Sequence, residues 1–282
     1  MLGKAGAVGV TATGASDVRD RVAPGAEVFA TAIGNLMAGD GFARTPWSDQ
    51  PIQPKLNPSP PRMANERKAK SMSDIVLWGF DGSTYVRTVK MVLAEKGVTE
   101  FKQVQLNVLK GDPKTPEHLK RHPFGKVPVL DYDGTRILET SAIARYLNDV
   151  LPGKSLIPST PKDRARMDTV ISIIDSYGYG ALVGGVAAYH LFPDFVGGKN
   201  EAMRKGGLEN GRKAIEVAMK TKGSSPFIAG ELSLADLYLA PIAFYVSLTP
   251  DKDALFNVDG FADWWTKMQA LQSYKDTQPN LG

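Results

Sequence analysis

The 282-residue sequence predicts a small α/β domain over residues 72–152, followed by an all-helical domain over residues 160–282. A largely unstructured leader over residues 1–71 precedes them. Strand and helix patterns alternate through the first domain, and only helical patterns continue through the second. Residues 46–61 contain six prolines, which disfavour both helices and central strands, so this stretch is predicted to be an extended linker. The remaining length is enough for two buried cores.

The leader has a pattern of its own before the proline-rich linker. A short strand is predicted at 7–10 and an amphipathic helix at 28–37. The runs 9–20 and 25–33 resemble the end of an extracellular CHASE2 sensor domain, although the membrane helices expected after such a domain are missing. A fragment of this kind cannot bury its apolar faces alone. We therefore expect residues 6–45 to be vestigial, or the product of a mis-set start codon, without a function of their own.

The first domain is predicted to contain four strands and two helices in the order β-α-β-β-β-α. The predicted elements are a strand at 75–78, a helix at 85–96, a strand at 101–106, a hairpin of strands 127–131 and 135–138, and a helix at 141–150. Gly97 follows the first helix directly, as is common at helix ends. This order is that of a thioredoxin-like fold.

The second domain is predicted to be helical throughout. Its helices are expected at 164–189, 201–221, 234–247 and 260–271. Ser233 and Asp236 stand three residues apart at the start of the third of these helices, in the spacing of a capping box.

The residue composition excludes several kinds of chemistry. The chain has no cysteine, so it can form neither a disulfide nor a thiolate metal site, and any sulfur chemistry must come from a bound thiol. His118, His122 and His190 follow no metal-ligand spacing. We expect no metal, and we expect the histidines at surface or boundary positions.

The charge distribution gives no indication of a nucleic-acid partner. The net charge of +4 arises mostly in the leader, where residues 1–71 hold nine Lys/Arg against six Asp/Glu, leaving 25 against 24 for the rest. No apolar run is long enough to predict a membrane span, and the first residues form a poor secretory signal. A cytoplasmic protein without a membrane partner is therefore expected.

The most informative stretch is 122–130, His-Pro-Phe-Gly-Lys-Val-Pro-Val-Leu, followed by Leu-Glu-Thr-Ser-Ala-Ile at 138–143. Proline cannot donate to a sheet ladder, so Pro128 belongs at a strand start, an edge or a bulge, where the backbone of Val127 can pair with a peptide-like ligand. The backbone amides at the following helix start, residues 139–141, can receive a carboxylate. Together these features indicate a site for a small acidic peptide.

This block resembles the glutathione-binding half of the glutathione transferase family, and residues 72–282 match the architecture of that family from end to end. The resemblance implies glutathione as co-substrate and a homodimer. It also implies that Glu139 and Thr140 hold the γ-glutamyl end of glutathione, with Thr in place of the family's usual Ser. An ordinary helix start would explain the same two residues, since acidic and hydroxyl side chains favour first turns.

Ser83 lies where the first helix needs an N-cap, and its hydroxyl could serve that purpose alone. A hydroxyl beside a helix N-terminus can also donate to a thiolate and favour the ionised form. The pattern Gly-x-x-x-Ser-Thr-x-x-Arg at 79–87 resembles the serine-type branches of the family, which are phi- and theta-like and of bacterial type. In those branches this serine activates glutathione. Thr84 is the second candidate for the role and Tyr85 the third.

Two lysines are candidates for the glycyl carboxylate of glutathione. The segment 112–119 resembles the phi-class loop, in which a lysine at the position of Lys114 meets that carboxylate. The residue before it, often histidine in the family, is Pro113 here, so one donor is missing. Lys126 precedes Val127, where the family often has Gln or Lys. Either lysine could equally be a solvated surface residue.

These residues predict a detoxifying glutathione transferase that attacks an apolar electrophile with a glutathione thiolate. The glycine- and tyrosine-rich step 177–180 is the best candidate lining for the electrophile pocket. The sequence does not identify the electrophile. Two alternatives remain: a non-catalytic glutathione-fold binding or stress protein, and a membrane-tethered sensor with this domain as effector. The intact ligand residues disfavour the first and the missing membrane segment disfavours the second.

Overall fold

A computed structural model describes residues 74–280 of the chain. The predicted leader, its CHASE2-like fragment and the proline-rich linker lie outside the described residues. The division of the chain at residues 71, 152 and 160 stays a prediction.

The α/β domain has the predicted order of elements. Its strands and helices are β1 (Val76–Gly79), α1 (Thr84–Glu95), β2 (Lys102–Gln105), α2 (Pro116–Leu119), β3 (Val129–Tyr132), β4 (Thr135–Leu138) and α3 (Thr140–Val150). Short 3-10 turns at Val108–Lys110 and Asp112–Lys114 lead into α2, which the sequence pattern did not predict. The bounds of β4 match the prediction, and the remaining boundaries differ from the predicted ones by at most two residues.

The four strands form one mixed sheet in the order β2-β1-β3-β4. Strand β1 runs parallel to β2 and antiparallel to β3, and β3 pairs antiparallel with β4. The register places Leu77 opposite Leu130, and both side chains are fully buried. Helix α1 packs against α3 and against the helical domain. The loop after β1 meets the helical domain, because the Tyr245 hydroxyl donates to the Gly82 carbonyl in that loop.

The helical domain begins with a 31-residue helix, α4 (Pro161–Leu191). Thr160 caps its start by accepting a hydrogen bond from the Asp163 amide. The helix changes to π-helical hydrogen bonding over Ile174–Gly178 and Gly180–Ala187, and returns to α-helix at Ala188–Leu191. The remaining helices are α5 (Glu201–Lys222), α6 (Leu234–Ser247), α7 (Lys252–Phe256), α8 (Phe261–Ala270) and α9 (Gln272–Asp276).

Helix α4 contains enough apolar residues, over enough length, to cross a membrane on those criteria alone. The sequence was expected to contain no apolar run long enough to span a membrane. The composition and length of α4 show that this expectation was wrong. In the structure α4 packs along α5 and α6, and Met167, Val170 and Val186 belong to the buried core. Packing between helices accounts for these apolar residues.

Glycines allow α4 and α5 to approach closely. A Cβ atom on Gly185 would lie 2.9 Å from the Gly207 Cα, and one on Gly207 would lie 2.7 Å from the Ala181 carbonyl oxygen. Such distances are shorter than van der Waals contact, so a side chain at either position would separate the helices. Gly185 of α4 and Gly207 of α5 are therefore packing requirements, whereas a Cβ on Gly180 or Gly184 of α4 would meet nothing within 4 Å.

The predicted capping box begins α6. The Asp236 carboxylate accepts hydrogen bonds from the Ser233 amide at 3.0 Å and the Ser233 hydroxyl at 2.9 Å. It also accepts from the Ile228 amide and the Trp264 indole, each at 2.9 Å. A fully buried carboxylate is thus surrounded by donors, which joins α6, α8 and the preceding loop.

Contacts between α1 and the helical domain join the two halves of the described chain. Thr88 donates to the Leu237 carbonyl at 3.0 Å, and the buried Arg87 guanidinium donates to the Tyr274 carbonyl at 2.9 Å. The Arg87 guanidinium also lies over the Phe244 ring at 4.7 Å and the Tyr274 ring at 4.3 Å. The loop before α1 is consequently held against the helical domain.

Candidate functional site

Ser83 ends the loop between β1 and α1 and caps α1. The Ser83 amide donates to the Phe80 carbonyl at 2.9 Å, which closes the turn before the helix. Its backbone is extended, with φ −82° and ψ 126°, and its Oγ accepts from the Val86 amide at 3.4 Å. That is a long capping contact. The hydroxyl proton has no acceptor among the described residues, so the half-buried Ser83 can still donate to a ligand at the helix N-terminus.

The other two candidate hydroxyls are placed less favourably. Thr84 is buried in the first turn of α1, and its Oγ1 has no hydrogen-bond partner within the described chain. The Tyr85 hydroxyl donates to the Asp175 carboxylate at 2.7 Å. Burial, and then this carboxylate, raise the pKa of Tyr85 far above its usual value. A phenol in that state has its proton engaged elsewhere.

Val127 and Pro128 lie between the site loop and β3. Their peptide bond is cis, and β3 begins one residue later, at Val129. Val127 is outside the strand pairing, and no hydrogen bond to another described residue occupies its backbone amide or carbonyl. Its backbone is therefore open to an extended ligand, in the way the sequence predicts.

Glu139 and Thr140 form the start of α3. Glu139 has φ 66°, a conformation that a residue with a side chain rarely adopts, and its carboxylate makes no capping bond to the helix. Its side chain is exposed, whereas Thr140 is buried. Strain of this kind persists where the surrounding structure enforces it and is common in binding sites. The α3 amides are free of side-chain caps and can receive an anion.

Two buried histidines support this region, and their placement corrects the expectation of surface or boundary positions. His118 and His122 are 0% and 2% exposed. The His118 Nε2 lies 2.8 Å from the Lys126 carbonyl oxygen, and the His122 Nε2 lies 3.7 Å from the Glu139 carboxylate. Burial lowers the pKa of His122, against the attraction of Glu139. The sequence spacing of the two histidines matches no metal site. That spacing also gave no indication that they support the segment at Lys126 and the start of α3.

The two candidate lysines lie at the same loop. The Lys114 Nζ donates to the Phe124 carbonyl at 3.0 Å, and Lys126 is exposed two residues further on. Gly125 has φ 57°, and a Cβ there would lie 2.6 Å from the Pro113 carbonyl oxygen. The absent side chain lets the two loops meet, so the Lys114 ammonium group borders the segment that leads to Val127, and Lys126 is the residue directly before Val127.

The residues predicted to line the electrophile pocket, 177–180, lie in two different places. The Tyr179 ring stacks on Tyr85, with ring centroids 4.7 Å apart and planes 12° apart, so it lies at the boundary between the domains next to α1. Tyr177 is 67% exposed and lines a different groove, between α4 and α5. The turn of the helix separates these residues, which a short sequence step cannot show. In residues 74–280, no group of side chains has the composition and proximity to hold a metal ion.

Comparison with known proteins identifies the family. Residues 73–149 match the glutathione S-transferase N-terminal domain. The chain is 26% identical over 209 residues to glutathione S-transferase F13 of Arabidopsis thaliana, covering 73% of this chain and 95% of the relative. It is 32% identical over 183 residues to glutathione S-transferase PM239X14 of the same organism, covering 62% of this chain and 83% of the relative.

Solved structures agree with these relatives. Glutathione transferase F2 from Populus trichocarpa superimposes with a TM-score of 0.64 at 27% identity, over 72% of this chain and 96% of the poplar chain. Glutathione S-transferase I from mais, solved with an atrazine glutathione conjugate, gives 0.63 at 25% identity, over 73% and 96% of the two chains.

The fold defines a class of protein, in which a thioredoxin-like domain with a mixed sheet is followed by an all-helical domain. Within that class, the chain belongs to the glutathione S-transferase family. It is an enzyme of the glutathione-conjugating kind, with glutathione as co-substrate.

Proposed function

We propose that the protein transfers glutathione to an apolar electrophile and that Ser83 stabilises the thiolate in this reaction. One observation carries the proposal. Ser83 lies at the N-terminus of α1 with its Oγ 3.4 Å from the Val86 amide, so the hydroxyl proton is available to a bound sulfur. The positive end of the helix dipole favours an anion at the same place.

The proposed binding mode extends glutathione along the α/β domain. The γ-glutamyl carboxylate is placed at the start of α3, beside Glu139 and Thr140, and the cysteinyl backbone pairs with Val127 next to Pro128. The glycyl carboxylate then reaches Lys114 and Lys126. This direction matches the charges of the site, because the lysines border one end of the Val127 segment and the helix amides the other.

The reaction follows from thiolate stabilisation. A free thiol titrates near a pH of about 8.5, so a downward shift of its pKa raises the reactive fraction at neutral pH. The thiol proton leaves to solvent, and the Ser83 hydroxyl donates to the sulfur anion. The thiolate then forms a C–S bond as the carbon–leaving-group bond breaks and the leaving group departs with its electron pair; at an activated double bond, the π pair moves to the neighbouring carbon and takes a proton from solvent. The maize relative solved with an atrazine glutathione conjugate supports an electrophile of this apolar type.

A serine-type, phi- or theta-like subtype and a detoxifying role in the cytoplasm complete the proposal. The hydroxyl at Ser83 supports the subtype, since Tyr85 is engaged with Asp175. We also propose a homodimer. Tyr177, Met203 and Val217 are exposed apolar side chains that line a groove of about 650 Å³ between α4 and α5. Exposed apolar surface of this kind marks interaction sites. Sedimentation at micromolar concentration should give twice the monomer mass of 30.5 kDa.

Replacement of Ser83 tests the proposal directly. Ser83→Ala should lower kcat/KM by on the order of 2 kcal/mol, about thirtyfold, because the lost hydrogen bond goes to a charged acceptor. The pH at which bound glutathione ionises should rise. Ser83→Thr keeps a hydroxyl and should retain part of the rate. Binding to a glutathione affinity resin should persist, since Val127 and the α3 amides remain.

Thr84→Val is the matched control, because it removes the neighbouring buried hydroxyl. It should leave the thiol titration unchanged. Wild-type conjugation by Ser83→Ala, with an unmoved pH profile, would make Ser83 a cap only and reject the proposal. A protein that binds glutathione but conjugates none of a broad panel of electrophiles would favour the non-catalytic binding alternative.

A further inference from the structure

Tyr245 of the helical domain contacts the residue that precedes Ser83. Its hydroxyl donates to the Gly82 carbonyl at 2.6 Å, across 163 residues of sequence. Tyr245 lies on α6 and is only 3% exposed. A short, partly buried hydrogen bond therefore fixes the peptide group that joins Gly82 to Ser83.

The neighbouring part of the loop is fixed by different contacts. Asp81 accepts from the Lys90 ammonium and from the Gln103 side chain, each at 2.9 Å, so it is held to the α/β domain alone. The Ser83 backbone is held by its bond to the Phe80 carbonyl and by α1. The Gly82–Ser83 peptide lies between the Asp81 side-chain contacts and the Ser83 backbone contacts. The hydrogen bond from Tyr245 connects this peptide directly to the helical domain. That peptide sets the direction in which the Ser83 side chain leaves the backbone.

The surroundings of Tyr245 keep its hydroxyl in place as a donor. Its ring meets the Phe192 and Phe244 rings edge to face, with centroids 5.8 and 5.3 Å away. Burial raises the pKa of Tyr245 to about 12, so the phenol keeps its proton over the range in which glutathione ionises. Aromatic packing holds the Tyr245 ring in place, and the position of the ring sets the position of its hydroxyl donor.

We infer that Tyr245 is a positioning residue for the reaction: it orients the Gly82–Ser83 peptide so that the Ser83 hydroxyl points at the glutathione sulfur. This inference rests on the proposed role of Ser83. Through this bond the helical domain controls thiolate formation in the α/β domain. A residue that only stabilised the fold would leave the ionisation of bound glutathione unchanged.

Tyr245→Phe removes the hydroxyl and keeps the ring. It should lower kcat about tenfold, the effect of losing about 1.4 kcal/mol of hydrogen-bond orientation, with the KM for glutathione changed less than twofold. The pH at which the bound thiol ionises should rise. Ultraviolet absorbance of the thiolate in the complex with glutathione measures this ionisation without turnover.

Tyr238→Phe is the matched control on the same helix. Tyr238 is fully buried, and its hydroxyl approaches the Ser141 side chain of α3 and makes no hydrogen bond to the described loop before Ser83. Its loss should leave the thiol titration and kcat unchanged, which separates the bond to Gly82 from a general effect of removing a buried phenol from α6. Thermal unfolding of both variants checks that each is folded at the assay temperature.

A double-mutant cycle separates this inference from the proposal on which it rests. If Tyr245 acts through Ser83, then Tyr245→Phe should shift the thiol titration in the wild-type background and add nothing in the Ser83→Ala background. Equal shifts in both backgrounds, or none in the wild type, would overturn the inference while leaving Ser83 in its role. An unmoved titration in Ser83→Ala alone would reject the role of Ser83, and the inference with it.

Discussion

The Tyr85 hydroxyl and the Asp175 carboxylate form a hydrogen bond of 2.7 Å that joins α1 to the π-helical part of α4. The bond links the two domains beside the candidate site, and the Tyr85 ring also stacks on Tyr179. Burial raises the pKa of Asp175, against the effect of the Tyr85 hydroxyl. Tyr85 is thus a contact between domains, whereas the Ser83 hydroxyl, two residues earlier, accepts from the Val86 amide and donates to no other described residue.

Tyr85→Phe should therefore leave the ionisation of bound glutathione unchanged and lower the free energy of unfolding by about 1 kcal/mol, the usual net value of one hydrogen bond. Tyr177→Phe is the control, because the Tyr177 side chain is 67% exposed, so both quantities should stay at wild-type values. Urea unfolding and thiolate absorbance are the two measurements. A raised thiol pKa in Tyr85→Phe would transfer the activating role from Ser83 to Tyr85.

Lys114→Ala should raise the KM for glutathione with little change in kcat, since a lysine that holds the glycyl carboxylate binds ground state and transition state alike. The Lys114 ammonium already borders the site through its bond to the Phe124 carbonyl. Lys120→Ala, which removes an exposed lysine from the neighbouring turn, should change neither constant. A fall in kcat at constant KM would show that Lys114 has a different role.

Asp236→Ala should destabilise the protein by at least about 3 kcal/mol, because it leaves several buried donors without an acceptor. These include the Ile228 amide and the Trp264 indole. Asp259→Ala, at an exposed position before α8, should have an effect within about 0.5 kcal/mol. Urea denaturation of the three proteins measures the difference. Equal stability of both variants would contradict the structural role of this buried carboxylate.

Stability should fall as the pH drops below about 6.5, and His122 should account for part of that fall. Burial lowers the pKa of His122 in the folded protein, so the unfolded chain binds its proton more readily. The contribution of His122 to the free energy of unfolding is complete above a pH of about 6.5. It is lost as the pH falls towards the lowered pKa of His122 in the folded protein. Glu139 attracts the proton, whereas His118 and Lys126 oppose it.

His122→Gln should flatten this part of the pH profile of unfolding while the loss below pH about 4 persists. Carboxylates with lowered pKa values, such as Asp81 and Asp131, produce that second loss in both proteins. Chemical denaturation at half-unit pH steps resolves the two ranges. Identical slopes between pH 5 and 7 for wild type and His122→Gln would show that His122 titrates as it does in the unfolded chain.

Local patterns in the sequence determined the elements of the fold, and they predict the candidate site residues. The hairpin after Pro128, the cap at Ser83 and the capping box at Asp236 depend on neighbouring residues, so spacing alone predicts them. The resemblance of residues 122–130 and 138–143 to a known family then predicted the fold and glutathione as co-substrate, and the comparisons confirm both.

The tertiary structure decided how the two domains meet. The bond from Tyr245 to Gly82 and that from Tyr85 to Asp175 join residues 163 and 90 positions apart, and no local pattern encodes such contacts. His122 likewise meets Glu139 at the α3 start, with its Nε2 3.7 Å from the carboxylate, a contact that local spacing does not predict. Secondary structure follows from interactions within a few residues, whereas the surroundings of each hydroxyl and histidine follow from packing between distant segments.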